Sequence, residues 1–190
     1  MEKSMELIIG ISGASGAGYG IRLLEILKET DIQTHLIMTK AAEEIIRTET
    51  DYDPENIRKL ADFVWDEKDF SAPIASGSHK AAGMIIAPCS MKTLGQVANG
   101  ISDNLLVRAA DVCLKEERKL ILMVRETPLS LIHLENMVAA KKAGATIMPA
   151  SPGFYSRPET IDDLYNIMAG RALDLAGIEN HVYKRWKDDE

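Results

Sequence analysis

The first twenty residues hold the strongest constraint on the fold. Leu7-Ile8-Ile9-Gly10-Ile11 is a short, continuous apolar run, and five glycines fall within eleven positions: Gly10, Gly13, Gly16, Gly18 and Gly20. A run that is apolar at almost every position suits a strand covered on both faces, which is the habit of parallel sheets. The glycine cluster then reads as a tight turn into a helix, with Ile21, Leu24 and Leu27 on one stripe.

The same alternation continues along the chain. Strands are expected at 33–38, 84–88, 119–124 and 145–148, and helices from 41, from 91, at 104–117, at 130–143 and at 160–176. Thr39 is placed to cap the second helix. Asp53-Pro54 starts a turn or short helix, and Ser71 to Ser78 is a small-residue loop. Strands alternating with helices imply an α/β fold with a parallel sheet and right-handed crossovers. Ligands of such sheets sit outside the carboxyl ends of the strands. Three turns at such ends therefore matter most: 12–18, 88–93 and 125–130.

Size and charge narrow the function. The 190 residues suit one domain spanning 1–190, with 187–190 as a frayed tail. A formal charge of −7 disfavours nucleic-acid binding, which needs a basic face. Cys89 and Cys113 stand in apolar surroundings and make no disulfide framework; they read as buried thiols in a reducing compartment. The histidines, His35, His79, His133 and His181, are scattered, so no metal site is expected. No apolar run approaches the roughly 20 residues that span a bilayer, and the polar start is no secretory signal. The expectation is a cytoplasmic protein with no membrane partner.

Three constellations could carry chemistry. Gly10-Ile11-Ser12-Gly13-Ala14-Ser15-Gly16 fits neither the dinucleotide fingerprint, the P-loop nor the hydrolase elbow. It is either a tight strand-to-helix turn or a cradle of N–H groups and hydroxyls for an anion or the polar edge of a cofactor. Pro88-Cys89-Ser90-Met91-Lys92-Thr93 packs two hydroxyls and a cation into one helix start, which suits either a phosphate or a plain capped helix. Arg125-Glu126-Thr127-Pro128 offers an Arg-Glu pair that can bind an anion and move a proton, or form a salt-bridged turn. Arg108, Lys115, Tyr155 and Arg171 stand alone, and Arg108 with Asp111 is spaced as a simple helical ion pair.

With these motifs the chain resembles the flavin prenyltransferase family of the UbiX type, long described as aromatic-acid decarboxylase subunits. The resemblance spans about residues 5–187. Besides the three turns, it rests on Thr39-Lys40-Ala41-Ala42, Glu49-Thr50, Ser76-Gly77-Ser78, Arg108-Ala109-Ala110-Asp111-Val112, His133-Leu134-Glu135-Asn136-Met137, Pro152-Gly153-Phe154-Tyr155 and Arg171. It implies a Rossmann-like three-layer sandwich, the flavoprotein fold. It implies an enzyme without metal that joins a dimethylallyl group, from dimethylallyl monophosphate, to N5 and C6 of reduced FMN. The product would be prenylated FMN, the cofactor of a separate UbiD-type decarboxylase. A homododecamer with sites at subunit junctions is implied as well.

By that resemblance Gly13, Ala14 and Ser15 line the flavin, Thr39 stands near it, and Ser90, Met91, Lys92, Thr93 and Arg125 hold it. Lys115, Tyr155 and Arg171 grip the prenyl phosphate. Ser15, Glu49, Glu126 and Lys115 serve the reacting centre. Cationic side chains and a tyrosine hydroxyl suit the charge that departs when an allylic C–O bond breaks. Loss of the C6 proton needs an acceptor, either a carboxylate such as Glu126 or the bound phosphate. Two other readings remain. A flavin-dependent cysteine decarboxylase is disfavoured because Lys92 stands where those enzymes carry asparagine, and a non-catalytic flavin-binding subunit would not need a second phosphate site.

Glu49 poses a geometric problem. It ends the helix that Thr39 begins, and ten helical positions span about 15 Å. The sequence therefore predicts that Glu49 does not reach its own chain's pocket and enters that of a neighbouring subunit.

Overall fold

The computed structural model describes residues 5–187. Its strands are β1 (Glu6–Ile11), β2 (Gln33–Met38), β3 (Phe63–Trp65), β4 (Gly83–Cys89), β5 (Lys119–Val124) and β6 (Thr146–Pro149). Its helices are α1 (Gly18–Lys28), α2 (Lys40–Glu49), α3 (Pro54–Arg58), α4 (Met91–Ala98), α5 (Leu105–Lys115), α6 (Leu131–Lys142) and α7 (Ile161–Ala176). The strands form one sheet in the order β3-β2-β1-β4-β5-β6, and every ladder is parallel. The expected α/β sandwich is therefore the fold. The chain runs outward from β1 to β3 and then jumps back to β4. The crevice between the carboxyl ends of β1 and β4 is the topological switch point, where such sheets bind ligands.

Side chains alternate across each strand, and both faces of this sheet are covered. Leu7, Ile9 and Ile11 of β1 pack with Leu23, Leu24 and Leu27 of α1, Ile46 of α2 and Leu173 of α7. Ile8 points the other way and packs with Leu94 of α4, Leu106 and Ala109 of α5, and Ala140 of α6. This two-sided burial is why the strand sequences read as continuous apolar runs. Caps set several helix starts. Thr39 accepts the Ala42 N–H at 3.1 Å, as the sequence predicts, and Asn104, Ser130 and Thr160 do the same for α5, α6 and α7.

Two differences from the sequence reading are local. β3 is only three residues long, lies at the sheet edge and leaves Phe63 and Val64 exposed, so it carries no readable periodicity. It is held beside β2 partly by Asp62, whose carboxylate accepts from the Thr34 N–H at 2.7 Å and its hydroxyl at 3.0 Å. β4 runs on to Cys89 rather than closing at Pro88, with a register shift between Ile86 and Cys89 where proline has no N–H to give. Of the tail expected at 187–190, residues 188–190 lie outside the described residues. Among the described residues no helix is long and apolar enough to cross a membrane.

The histidines do not all stay apart. At the amino ends of the strands, opposite the crevice, Glu6 Oε2 lies 3.0 Å from His35 Nε2 and 2.8 Å from His79 Nε2. The Trp65 indole N–H donates to His35 Nδ1 at 3.1 Å. A ring nitrogen that accepts carries no proton, so neutral His35 keeps its proton on Nε2 and donates to Glu6. This tautomer leaves His35 no lone pair for a metal at that carboxylate. Burial holds the His35 imidazole below its ordinary pKa, against the opposing pull of Glu6. The folded state then binds fewer protons than the unfolded one, so stability is full above about pH 6.5 and falls as the pH drops through the lowered value. Urea midpoints measured at pH 7.5 and 5.5 are expected to fall less on acidification in His35→Asn than in the wild type.

Candidate active site at the strand switch point

Ser12 organises the crevice. Its hydroxyl donates to the Pro88 carbonyl at 2.8 Å and accepts from the Ser90 N–H at 2.8 Å. One side chain, 1% exposed, thus staples the turn after β1 to the turn after β4. The motif that contains Ser12 does not by itself announce this role. A serine at the last position before a glycine turn, beside a second strand that ends in Pro-Cys-Ser, is the signal that does. Ser12→Ala leaves the Pro88 carbonyl the Ser12 N–H at 3.3 Å but strips the largely buried Ser90 N–H of its acceptor, which costs about 1–3 kcal/mol. Denaturant unfolding is expected to show that loss, with FMN affinity lowered alongside.

The glycine turn runs along α2. A Cβ at Gly13 would stand 2.5 Å from that of Ala41, at the start of α2. Three residues on, the Gly16 N–H donates to Glu49 Oε2 at 2.8 Å, at the end of α2. Gly16 has φ +93°, which a side chain would strain. The expectation that Glu49 cannot reach its own pocket is therefore corrected. The helix is as long as predicted, but the turn travels beside it, and a glutamate side chain leans back toward the helix N-terminus. Ser15 is half-buried on this turn, and its hydroxyl makes no hydrogen bond among the described residues. Ala14 is buried, its N–H bonded to the Ser12 carbonyl at 2.9 Å.

The second and third turns adjoin the first. Ser90 caps α4: its hydroxyl accepts the Thr93 N–H at 3.2 Å and lies 3.1 Å from the Thr93 hydroxyl. These two hydroxyls serve the cap, so the groups left for an anion are the first-turn amides of Met91 and Lys92, which have no intrahelical partner, and the exposed Lys92 cation. The Arg125 N–H donates to the Cys89 carbonyl at 3.2 Å, which ties the third turn to the second. Its side chain is half-buried, whereas Glu126 is exposed and accepts the Thr127 N–H at 2.9 Å. Thr39, at the end of β2, completes the row, its hydroxyl engaged in the α2 cap. Burial pushes the Cys89 thiol far up, so it takes no part as a thiolate. Amides, an unengaged hydroxyl and two cations are a donor set that fits a phosphate monoester and the polar edge of a flavin.

The structure also shows two tyrosines that the sequence reading passed over. Tyr19 and Tyr165 meet edge to face, with ring centroids 5.2 Å apart. Burial raises the Tyr19 hydroxyl pKa, Tyr165 adds to the shift and Arg125 opposes it. Burial also raises Tyr165, and Glu49 adds to it. The two rings lie against the glycine turn, since a Cβ at Gly16 would stand 2.9 Å from the Tyr19 ring and one at Gly18 would fall on the Tyr165 ring. A tyrosine lodged between Gly18 and Gly20 marks Tyr19; nothing local marks Tyr165.

The three residues assigned to the prenyl phosphate do not meet within one chain. Tyr155 and Arg171 line a cavity of about 230 Å³ beside the edge strand β6, with Pro149, Ser151 and Met168. Lys115 ends α5 at the amino ends of the strands, exposed, paired with Glu116 at 2.5 Å and close to Gly77. The reason is topological. A helix that leads into a parallel strand ends at that strand's amino end, roughly 20 Å from the carboxyl ends for six residues at 3.3 Å each. Arg108 makes the expected pair with Asp111 at 3.0 Å and also donates to the Ala75 carbonyl at 3.1 Å.

A doubly wound sheet with an anion-suited crevice at its switch point defines a nucleotide-binding α/β protein, and a family model described as Flavoprotein matches residues 1–173. A relative named flavin prenyltransferase UbiX, from Thauera aromatica, is 50% identical over 186 residues, 98% of this chain and 96% of that protein. The crystal structure of AnUbiX in complex with FMN and dimethylallyl pyrophosphate superposes with a TM-score of 0.96 at 46% identity, covering 99% of this chain and all of that one. A dodecameric FMN-dependent UbiX-like protein from Escherichia coli O157:H7 gives 0.94 at 47% identity, over 96% of this chain and all of its own. The chain belongs to the UbiX family of flavin prenyltransferases.

Proposed function

We propose that this protein is a metal-independent prenyltransferase that joins a dimethylallyl group, from a dimethylallyl phosphate, to N5 and C6 of reduced FMN. The product is prenylated FMN, destined for a UbiD-type decarboxylase. The observation that carries the reading is the pairing of two anion-suited sites in one chain: the crevice at the switch point and the Tyr155–Arg171 cavity. A protein that only stored flavin would need the first alone.

Residues 1–190 act as one flavin-binding domain. Gly13, Ala14, Ser15, Thr39, Met91, Lys92 and Arg125 hold FMN, with Ser90 and Thr93 shaping the α4 end that faces it. Reduced FMN supplies the nucleophile. Tyr155 and Arg171 hold the phosphate and stabilise the negative charge that grows on it as the allylic C–O bond breaks. Glu49 fixes the glycine turn through Gly16, so its carboxylate positions Ser15 for the reacting centre. Glu126, exposed in this chain, is placed to accept a proton at the third turn.

Lys115 serves the pocket of a neighbouring copy, since its own lies at the carboxyl ends of the strands. The outer face of α6 supports such assembly: Leu131, Ile132, Leu134 and Val138 are 69%, 67%, 46% and 54% exposed on one helix. Contiguous apolar surface of this kind marks an interface, and a homododecamer is the assembly proposed. Two buried, unpaired cysteines and the lack of a spanning helix among the described residues support a cytoplasmic location.

Phosphate release from dimethylallyl monophosphate tests the reading. Release is expected with reduced FMN, without oxygen and with chelator present, and only background hydrolysis with no flavin. Equal release in both would remove the flavin from the reaction and sink the assignment.

A further inference from the structure

The residues after α7 fold back as a strap, and one carboxylate gathers them. Asp174 accepts two bonds from Arg185, Nη1 at 2.7 Å and Nη2 at 2.8 Å, one from the Tyr183 hydroxyl at 2.6 Å and one from Asn180 at 2.9 Å. Arg185 above all, then Tyr183 and Asn180, hold its carboxyl down at about 2. The strap sits in a notch made for it, because a Cβ at Gly170 would fall on the Tyr183 ring. Arg185 also lies 5.1 Å above that ring.

The same carboxylate stands one helical turn from Arg171, and here the distances separate two roles. Arg185 grips Asp174 with both nitrogens below 3 Å, the geometry of a bidentate pair. Arg171 touches it with one nitrogen at 3.4 Å and is 51% exposed by side chain. The neighbouring Tyr183 hydroxyl raises the Arg171 pKa, which keeps the guanidinium charged. Asp174 is thus saturated by the strap arginine, and Arg171 is aimed but not neutralised. The strap reaches the other wall as well, since the Trp186 ring meets Tyr155 edge-on with centroids 5.4 Å apart.

We propose that Asp174 is a positioning residue for the prenyl-phosphate site. By latching the strap through Arg185 and Tyr183, it aims Arg171 and braces Tyr155, and it does so without touching the substrate. This rests on the reading that Arg171 and Tyr155 bind the phosphate.

Two simpler roles predict different results. A nearby negative charge that did nothing else would repel the phosphate, so removing it would tighten binding. A purely structural group would weaken FMN and the whole fold together. Positioning predicts weaker phosphate binding with FMN untouched. The test uses the assembled, FMN-loaded enzyme and compares wild type, Asp174→Asn, Arg185→Ala and Arg171→Ala. For Asp174→Asn and Arg185→Ala, KM for dimethylallyl monophosphate and the inhibition constant of inorganic phosphate are expected to rise about tenfold, the scale of one lost charge-assisted bond. FMN affinity is expected to stay within about twofold, the two sites having no shared residue. Amide exchange over 178–187 should quicken while β1 and β4 keep their protection. Asp174→Asn with KM at or below the wild-type value overturns the proposal, and Arg185→Ala decides it in the same way should Asp174→Asn fail to assemble. If Arg171→Ala raises KM and the other two do not, positioning alone fails. If Arg171→Ala leaves KM unchanged, the phosphate reading falls and the proposal with it.

Discussion

Arg171→Ala is expected to retain FMN and to slow prenyl transfer by about 10²–10³, the usual cost of losing one preorganised donor at a developing charge. Tyr155→Phe should act in the same direction through its hydroxyl. The separation follows from the fold. Tyr155 and Arg171 line a cavity beside β6, whereas the flavin-side groups gather where β1 and β4 end. Flavin fluorescence titration gives the first quantity and single-turnover flavin chemistry the second. Collapse of FMN affinity with turnover intact would mean that the two phosphate sites have been exchanged.

The second large effect concerns assembly. Lys115 cannot serve its own chain's pocket from the amino ends of the strands, so pockets should be built from two copies. Homogeneous Lys115→Ala and homogeneous Ser15→Ala proteins are both expected to be inactive. In an equal mixture that has exchanged subunits, a pocket drawing Ser15 from one copy and Lys115 from another is intact in about a quarter of cases. Activity should therefore return to about that share of the wild type. Glu49 would not serve in this experiment, because it bonds to the Gly16 N–H of its own chain. A mixture that stays inactive after proven exchange would return Lys115 to its own chain or remove it from the reaction.

Much of this architecture is legible in the sequence because the sheet is buried on both faces. Runs such as Met84 to Ala87 and Leu120 to Val124 have no polar face to confuse the period, and caps such as Thr39 and Thr160 announce helix starts locally. β3 is not legible, since three half-exposed residues at an edge carry no pattern. At the site, the three turns are legible because each follows a strand with glycine, serine or arginine. What joins them is not. The Ser12 staple spans 78 positions to Ser90, and Tyr165 reaches Tyr19 from the far end of the chain. Helix length alone misplaces Glu49, because the path of the turn beside α2 is not written in the sequence. The resemblance groups Lys115 with Tyr155 and Arg171, and a motif does not say that they belong to different copies.

The mass of the flavin itself tests the central claim most directly. The protein is incubated without oxygen with reduced FMN and either dimethylallyl monophosphate or dimethylallyl pyrophosphate, and the flavin is then extracted and weighed. The expected product is FMN heavier by one dimethylallyl unit, formed with at least one of the two donors and absent when Arg171→Ala replaces the wild type over the same short time. Flavin recovered at the mass of unmodified FMN with both donors, from protein shown to be assembled and FMN-bound, would contradict the prenyl-transfer account.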